Sequence, residues 1–233
     1  MPRKPRMSLP GVPCHIIQRG NNRDATFYAE QDYQFYLECL KDAAVRYKVS
    51  IHAYVLMTNH VHILATPGNS ESVSFLMQSI GRRYVQYVNK EYRRSGTLWE
   101  GRHKACLVHA EDYLLTCSRY IELNPVVAAM VGHPAEYRWS SFLCNAVGKP
   151  DPLICAHDLY LRLGSTNDER QENYQRLFDQ AIDPADIQRI KNAAALSMPL
   201  GNSRFKEQIE RALNRKIGSE HQGRPRKVRK TDM

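Results

Sequence analysis

Two apolar, β-prone runs, residues 50–57 and 60–66, are separated only by Thr58-Asn59. A two-residue link between strand-like runs is the signature of a β-hairpin, here expected at the centre of a sheet. The return run reads His60-Val61-His62-Ile63-Leu64. Side chains alternate along a strand with period two, so His60 and His62 share one face. An imidazole pair in an otherwise apolar strand is costly unless it finds partners. Two imidazoles side by side on a rigid element also make half of a metal site. A bare His-x-His fits a pair of half-buried histidines bonded to backbone as well, so the pair alone does not decide.

The flanking pattern extends the hairpin into a mixed fold. Residues 12–19 read as a first strand that Gly20-Asn21-Asn22-Arg23 breaks as a turn. Residues 30–47 carry Tyr33, Tyr36, Leu37, Leu40, Ala43, Ala44 and Tyr47 at helical spacing. A second helix is expected over 71–93, with Leu76, Met77, Ile80, Tyr84 and Val88 on one side and Arg82 and Arg83 on the other. Residues 103–109 read as a strand and 111–123 as a helix, which Asn124-Pro125 closes or bends, because the residue before a proline is pushed out of the helical region. The order β-α-β-β-α-β-α implies a ferredoxin-like α+β sandwich with an antiparallel sheet. After Gly148-Lys149-Pro150 the character changes to helical segments, expected near 158–163, 168–181, 184–195 and 203–217. Three parts are thus expected: 1–148 as the main domain, 149–218 as a helical DNA-binding appendage, and 219–233 as a basic disordered tail.

The net charge of +9 and pI near 9.3 favour a polyanionic partner, nucleic acid ahead of a membrane surface. Six cysteines at 14, 39, 106, 117, 144 and 155 form no C-x-x-C pair, which argues against a structural zinc knuckle and for reduced thiols in a cytosolic protein. No signal-type or bilayer-spanning apolar run is seen, so no membrane partner is expected.

Tyr120 and Asn124 lie four residues apart on the helix of residues 111–123 and so share a face. Asn124 offers an amide oxygen to a cation, and Tyr120 a phenol whose ordinary pKa is about 10. A nearby cation and a phosphate oxygen would help that phenol ionise and act as a nucleophile. The plain alternative is a core tyrosine and an asparagine ending a helix before proline. Tyr113 would stand roughly 16 Å from Asn124, too far to share a phosphate with it. Arg19, Arg82, Arg83, Arg102, Lys104 and Arg119 are candidate contacts to a nucleic-acid backbone, though such groups also serve as solvated helix faces. Gly223-Arg224-Pro225-Arg226 resembles the core of an AT-hook, adding Arg224 and Arg226 to the candidates.

Taken in order, the blocks His15-Ile16-Ile17-Gln18-Arg19-Gly20-Asn21, Tyr54-Val55-Leu56-Met57-Thr58-Asn59-His60-Val61-His62, Arg119-Tyr120-Ile121-Glu122-Leu123-Asn124-Pro125-Val126 and Tyr137-Arg138-Trp139-Ser140-Ser141 resemble the REP-associated tyrosine transposases, a family of single-tyrosine HUH transposases. The resemblance covers about residues 8–145. It implies an HUH endonuclease fold, Mg2+ or Mn2+ as cofactor, and single-stranded DNA folded as repetitive palindromic hairpins as substrate. It also implies a 5′-phosphotyrosine intermediate, with His60, His62 and Asn124 as metal ligands and Tyr120 as nucleophile. The expected protein is a transposase that nicks and rejoins DNA, cytoplasmic and nucleoid-associated, with no small-molecule substrate. A noncatalytic nucleic-acid-binding protein on the same fold is the alternative. One departure is visible: where the family often continues Asn-Pro-Val-Arg-Ala-Gly, this chain has Val127 and Ala129 in place of the arginine and glycine.

Overall fold

The computed structural model describes residues 6–217. The sandwich begins with β1 (Cys14–Arg19), α1 (Glu30–Tyr47), β2 (Val49–Met57), β3 (His60–Pro67), α2 (Ser72–Glu91), β4 (Lys104–Leu107) and α3 (Ala110–Glu122). The four strands form one antiparallel sheet in the order β2-β3-β1-β4, the arrangement expected of a ferredoxin-like sandwich. Short segments follow as α4 (Asn124–Val127), α5 (Phe142–Val147) and α6 (Asp158–Leu161), then α7 (Asn167–Arg176), α8 (Pro184–Leu196) and α9 (Ser203–Ala212). The Thr58-Asn59 hairpin forms, but only its β3 arm is central; β2 lies at the edge of the sheet.

Alternation along the strands splits the core in two. Ile16, Leu56, Val61, Ile63 and Leu107 point to one face, where α1 and α2 cover them with Tyr36, Leu40, Leu76, Ile80 and Tyr84. Val55, Leu64, Cys106 and Val108 point to the other, against Leu114, Cys117 and Ile121 of α3 and Ile190, Ala193 and Ala194 of α8. A bulge at His52 shifts the register between Ile51 and Ala53, so the alternation restarts beyond it.

The chain after residue 148 does not hang from the sandwich as an appendage. Cys155 donates its N–H to the Ile51 carbonyl at 2.7 Å, and Leu56 donates to Trp139 at 2.9 Å, so later residues cover the open edge of β2. Leu200 donates to Leu107 at 2.8 Å and does the same for β4. Phe205 and Ile209 of α9 join the α1/α2 core, and α8 joins the α3 core. The composition change at 148 is not the end of the core; bare strand edges are a liability that these segments remove. The tail expected over 219–233, with Arg224 and Arg226, lies outside the described residues. All six cysteines are free.

Candidate active site

The α3 face of the sheet is where chemistry-bearing residues collect. Antiparallel register sets His60 between Met57 and Arg19, and His62 between Val55 and Ile17, with Lys104 beyond Ile17. Gly20 ends β1 directly after Arg19. A Cβ there would meet the Asp24 carbonyl at 2.2 Å, so only glycine lets the chain turn under the hairpin while its N–H bonds Asn59 at 2.8 Å. The loop before β4 continues alongside β1, where Glu100 donates to the Arg19 carbonyl at 2.8 Å, and this brings Arg102 beside the pair.

From above, α3 contributes Tyr120, whose ring centre lies 6.0 Å from that of His62 and 6.1 Å from that of His15. Asn124 follows at the break. Pro125 has no N–H for the Ile121 carbonyl four residues earlier, and the Asn124 amide nitrogen fills the gap, donating to Ile121 at 3.2 Å and to Tyr120 at 2.7 Å. With its nitrogen committed to the main chain, Asn124 keeps its amide oxygen without a partner among the described residues.

The His60 tautomer follows from its neighbour. Asn59 donates its amide nitrogen to the Arg23 carbonyl at 2.9 Å, which turns its oxygen toward His60 Nδ1 at 2.7 Å. That oxygen only accepts, so His60 Nδ1 carries the proton and Nε2 keeps its lone pair. Burial, with Arg19 adding, holds His60 down at about 4, and burial with the neighbouring His15, His60 and Arg19 holds His62 well below its ordinary value. Both imidazoles are therefore neutral at neutral pH, the state a metal ligand needs. Burial pushes the Tyr120 phenol up, Cys117 adds to this, and the charge of Arg19 pulls against both.

His60, His62, Tyr120, Asn124, Arg19, Arg102 and Lys104 line one cleft of about 450 Å³, closed on the remaining side by Lys191, Ala194 and Ala195 of α8. The residues fit a divalent cation by the chemistry of their donors: two neutral imidazoles and one amide oxygen. Among the described residues no group of three or more His, Cys, Asp or Glu is placed to hold a metal, so a cation here depends on Asn124.

The other basic candidates sit elsewhere. Arg82 and Arg83 belong to α2, across the sheet from the cleft, and Arg83 pairs with Asp42 of α1 at 2.9 Å. Helical spacing placed them opposite the apolar side of α2 but not relative to the sheet. Arg119 points away from its neighbour Tyr120, hydrogen-bonded to the Gln180 carbonyl with its guanidinium 5.7 Å from the Phe178 ring centre. Tyr113 donates to Asp186 at 3.3 Å and lines a different cleft. Two residues of the site were missed from sequence. Lys191 gives no sequence signal, since only tertiary packing brings α8 to the cleft. His15 was legible: it shares the parity of Ile17 and Arg19 on β1.

Residues 9–124 match the sequence model of the IS200-like transposases. A solved structure of a REP-associated tyrosine transposase bound to a REP hairpin is similar in fold, with a TM-score of 0.54 and 19% identity over 67% of this chain and 93% of that one. A candidate transposase from Deinococcus radiodurans R1 is matched at a TM-score of 0.37 and 23% identity, over 52% of this chain and 95% of that one. A tRNA(His) guanylyltransferase from Saccharomyces cerevisiae is matched at 0.36 and 14%, over 73% of this chain and 79% of that one. No curated protein matches the chain.

Proposed function

Through residues 9–124 the chain belongs to the IS200-like transposase family, and from that premise we propose that it is a metal-dependent single-stranded DNA endonuclease and transposase. It cleaves and rejoins DNA at hairpin-forming repetitive palindromic elements through a 5′-phosphotyrosine intermediate. The observation that carries this reading is Tyr120 in one cleft with His60, His62 and Asn124, under a rim of cations.

His60 Nε2, His62 Nε2 and the Asn124 oxygen would hold Mg2+ or Mn2+. When bound, that ion supplies positive charge to the non-bridging oxygens of the scissile phosphate. Tyr120 attacks the phosphorus in line: a Tyr Oη–P bond forms, the P–O3′ bond breaks, and the strand leaves with a 3′ hydroxyl. Arg19, the cation that opposes the burial of the phenol, favours its ionised form as the proton departs. One phosphodiester replaces another, so a later 3′ hydroxyl can attack the same phosphorus and release Tyr120. Arg102, Lys104 and Lys191 grip the flanking backbone, the contacts that make such binding salt-dependent. The solved relative bound to a REP hairpin supports hairpin DNA as the partner, with 19% identity. Among the described residues no helix is long and apolar enough to cross a membrane; a cytoplasmic, nucleoid-associated location is part of the same proposal.

The test is incubation of the full chain with a 5′-labelled single-stranded palindromic hairpin and Mg2+. A covalent protein–DNA adduct should form with the parent and be absent with Tyr120→Phe and His62→Ala. Adduct formation by Tyr120→Phe would sink the assignment. Metal-independent hairpin binding with no adduct in the parent would favour the noncatalytic reading.

A further inference from the structure

His15 is a buried titratable group that the reaction above does not use. It lies on β1 facing α3, entirely shielded from solvent. Its Nε2 stands 2.8 Å from His62 Nδ1, the two rings stacked with centres 5.0 Å apart. Its other nitrogen, Nδ1, is buried with no hydrogen-bond partner among the described residues. Buried polar atoms left unsatisfied are rare and cost stability, so an apolar side chain would serve the core better at this position. The imidazole therefore needs a reason, and its one side-chain polar contact among the described residues is His62.

Two neutral imidazoles can share that contact in two ways. If His15 donates from Nε2, then His62 accepts at Nδ1 and carries its own proton on Nε2, which blocks that nitrogen as a ligand. If His62 donates from Nδ1, its Nε2 lone pair is open to the cleft, and the His15 proton sits on Nδ1. Each arrangement holds two protons, so passing between them is a tautomeric exchange with solvent and changes no charge. Asn59 already imposes the open arrangement on His60. We propose that His15 is the matching positioning residue for His62, accepting its Nδ1 proton and thereby holding Nε2 free and aimed into the cleft. Partners of this kind fix the ring and raise the basicity of a ligating imidazole. The inference rests on the reading of His60 and His62 as cation ligands.

Three measurements on the full chain test it. Mn2+ affinity, followed by the EPR signal of free Mn2+, should fall about 10–100-fold in His15→Leu, the range found when such partners are removed. His15→Leu removes the unsatisfied His15 nitrogen but strands His62 Nδ1, so its urea midpoint should stay close to that of the parent. His15→Gln, whose amide oxygen can accept the same proton, should recover affinity to within about threefold of the parent, with no acceptor lost from the contact. With saturating Mg2+, nitrogen-15 shifts should place the His62 proton on Nδ1. Unchanged Mn2+ affinity in His15→Leu, or a Mg2+-saturated protein with His62 protonated on Nε2, overturns the inference. Should His15→Leu fail to fold, the His15→Gln affinity and the His62 tautomer of the parent still decide. His60→Ala and His62→Ala separate the two levels: if they too leave Mn2+ affinity unchanged, the cation site itself has failed, and with it the proposed reaction.

Discussion

Two polar clusters on opposite faces of one sheet differ in what their groups have left to do, although on the α1/α2 face Tyr36 and Trp99 also keep buried atoms with no partner among the described residues. On the α1/α2 face the fully buried Asp32 has its capacity filled: it accepts from the Tyr28 and Ala29 amides at 2.7 and 2.9 Å and from the Tyr87 and Tyr92 hydroxyls at 2.9 Å each. That carboxylate closes the first turn of α1 and ties it to α2 and to the loop after it, and it has nothing to offer a ligand. On the α3 face, among the described residues, His60 and His62 each keep a ring nitrogen without a protein partner, the Asn124 oxygen is unpaired, and His15 has an orphaned nitrogen. The same strands build both faces, so propensity does not explain the difference. A saturated polar group specifies structure, and an unsaturated one next to a cleft is available for chemistry.

The largest effect that would sharpen this contrast is on the proposed nucleophile. Tyr120→Phe should lower adduct formation by about a thousandfold or more. Its half-buried hydroxyl has no protein partner among the described residues, so its urea stability should change by less than about 1 kcal/mol. Asp32→Ala should do the reverse, costing about 3–5 kcal/mol through the donors it strands. The protein that stays folded should still form adduct at near the parental rate. Comparable losses in both properties for both variants would break the division between faces.

A second buried carboxylate extends the comparison to the back of α3. Glu122 accepts from Ser141 at 2.6 Å, Asn145 at 2.9 Å and Tyr174 at 2.8 Å, fastening α3 to α5 and α7. Burial nevertheless pushes its carboxyl up to about 7, against the pull of those three hydrogen bonds. The fold thus prefers the protonated form. The stability this contributes is complete below its ordinary value of 4.5 and is lost as pH rises through about 7. Measured against Glu122→Gln, the parent should lose up to about 3 kcal/mol of stability between pH 4 and 8, superimposed on the opposite slope that both proteins share from their buried histidines. Parallel pH profiles for the two proteins would contradict it.

Smaller effects test the rim and the turn. Lys191→Ala should weaken hairpin binding about 3–10-fold at low salt and reduce the salt slope by about one. Arg82→Ala, across the sheet, should leave binding within about twofold under the same conditions. Ala129 occupies left-handed backbone at φ 53°, where the resembling family often has glycine. Ala129→Gly should therefore stabilise the protein by up to about 1 kcal/mol in urea titrations. Val127 beside it, in place of the family's frequent arginine, is 79% exposed.

Local chemistry alone made most of this architecture legible. Residues 30–47 read as a helix and form one, because apolar spacing and a capping acid act within a few residues of each other. The Thr58-Asn59 hairpin, the shared face of His60 and His62, and the four-residue step from Tyr120 to Asn124 are likewise properties of a backbone period. The sequence by itself determined the four strands and the longer helices, their order and the chemistry of each half of the candidate site, but not the short α4 and α5. Tertiary structure decided which halves meet. Only packing could send Arg82 and Arg83 to the far side of the sheet, turn Arg119 away from the cleft and bring Lys191 into it. Only packing could pair His15 with His62. A period fixes direction relative to the chain's own axis, whereas a site needs distances between chain segments far apart in sequence, and those are set by how the faces bury one another.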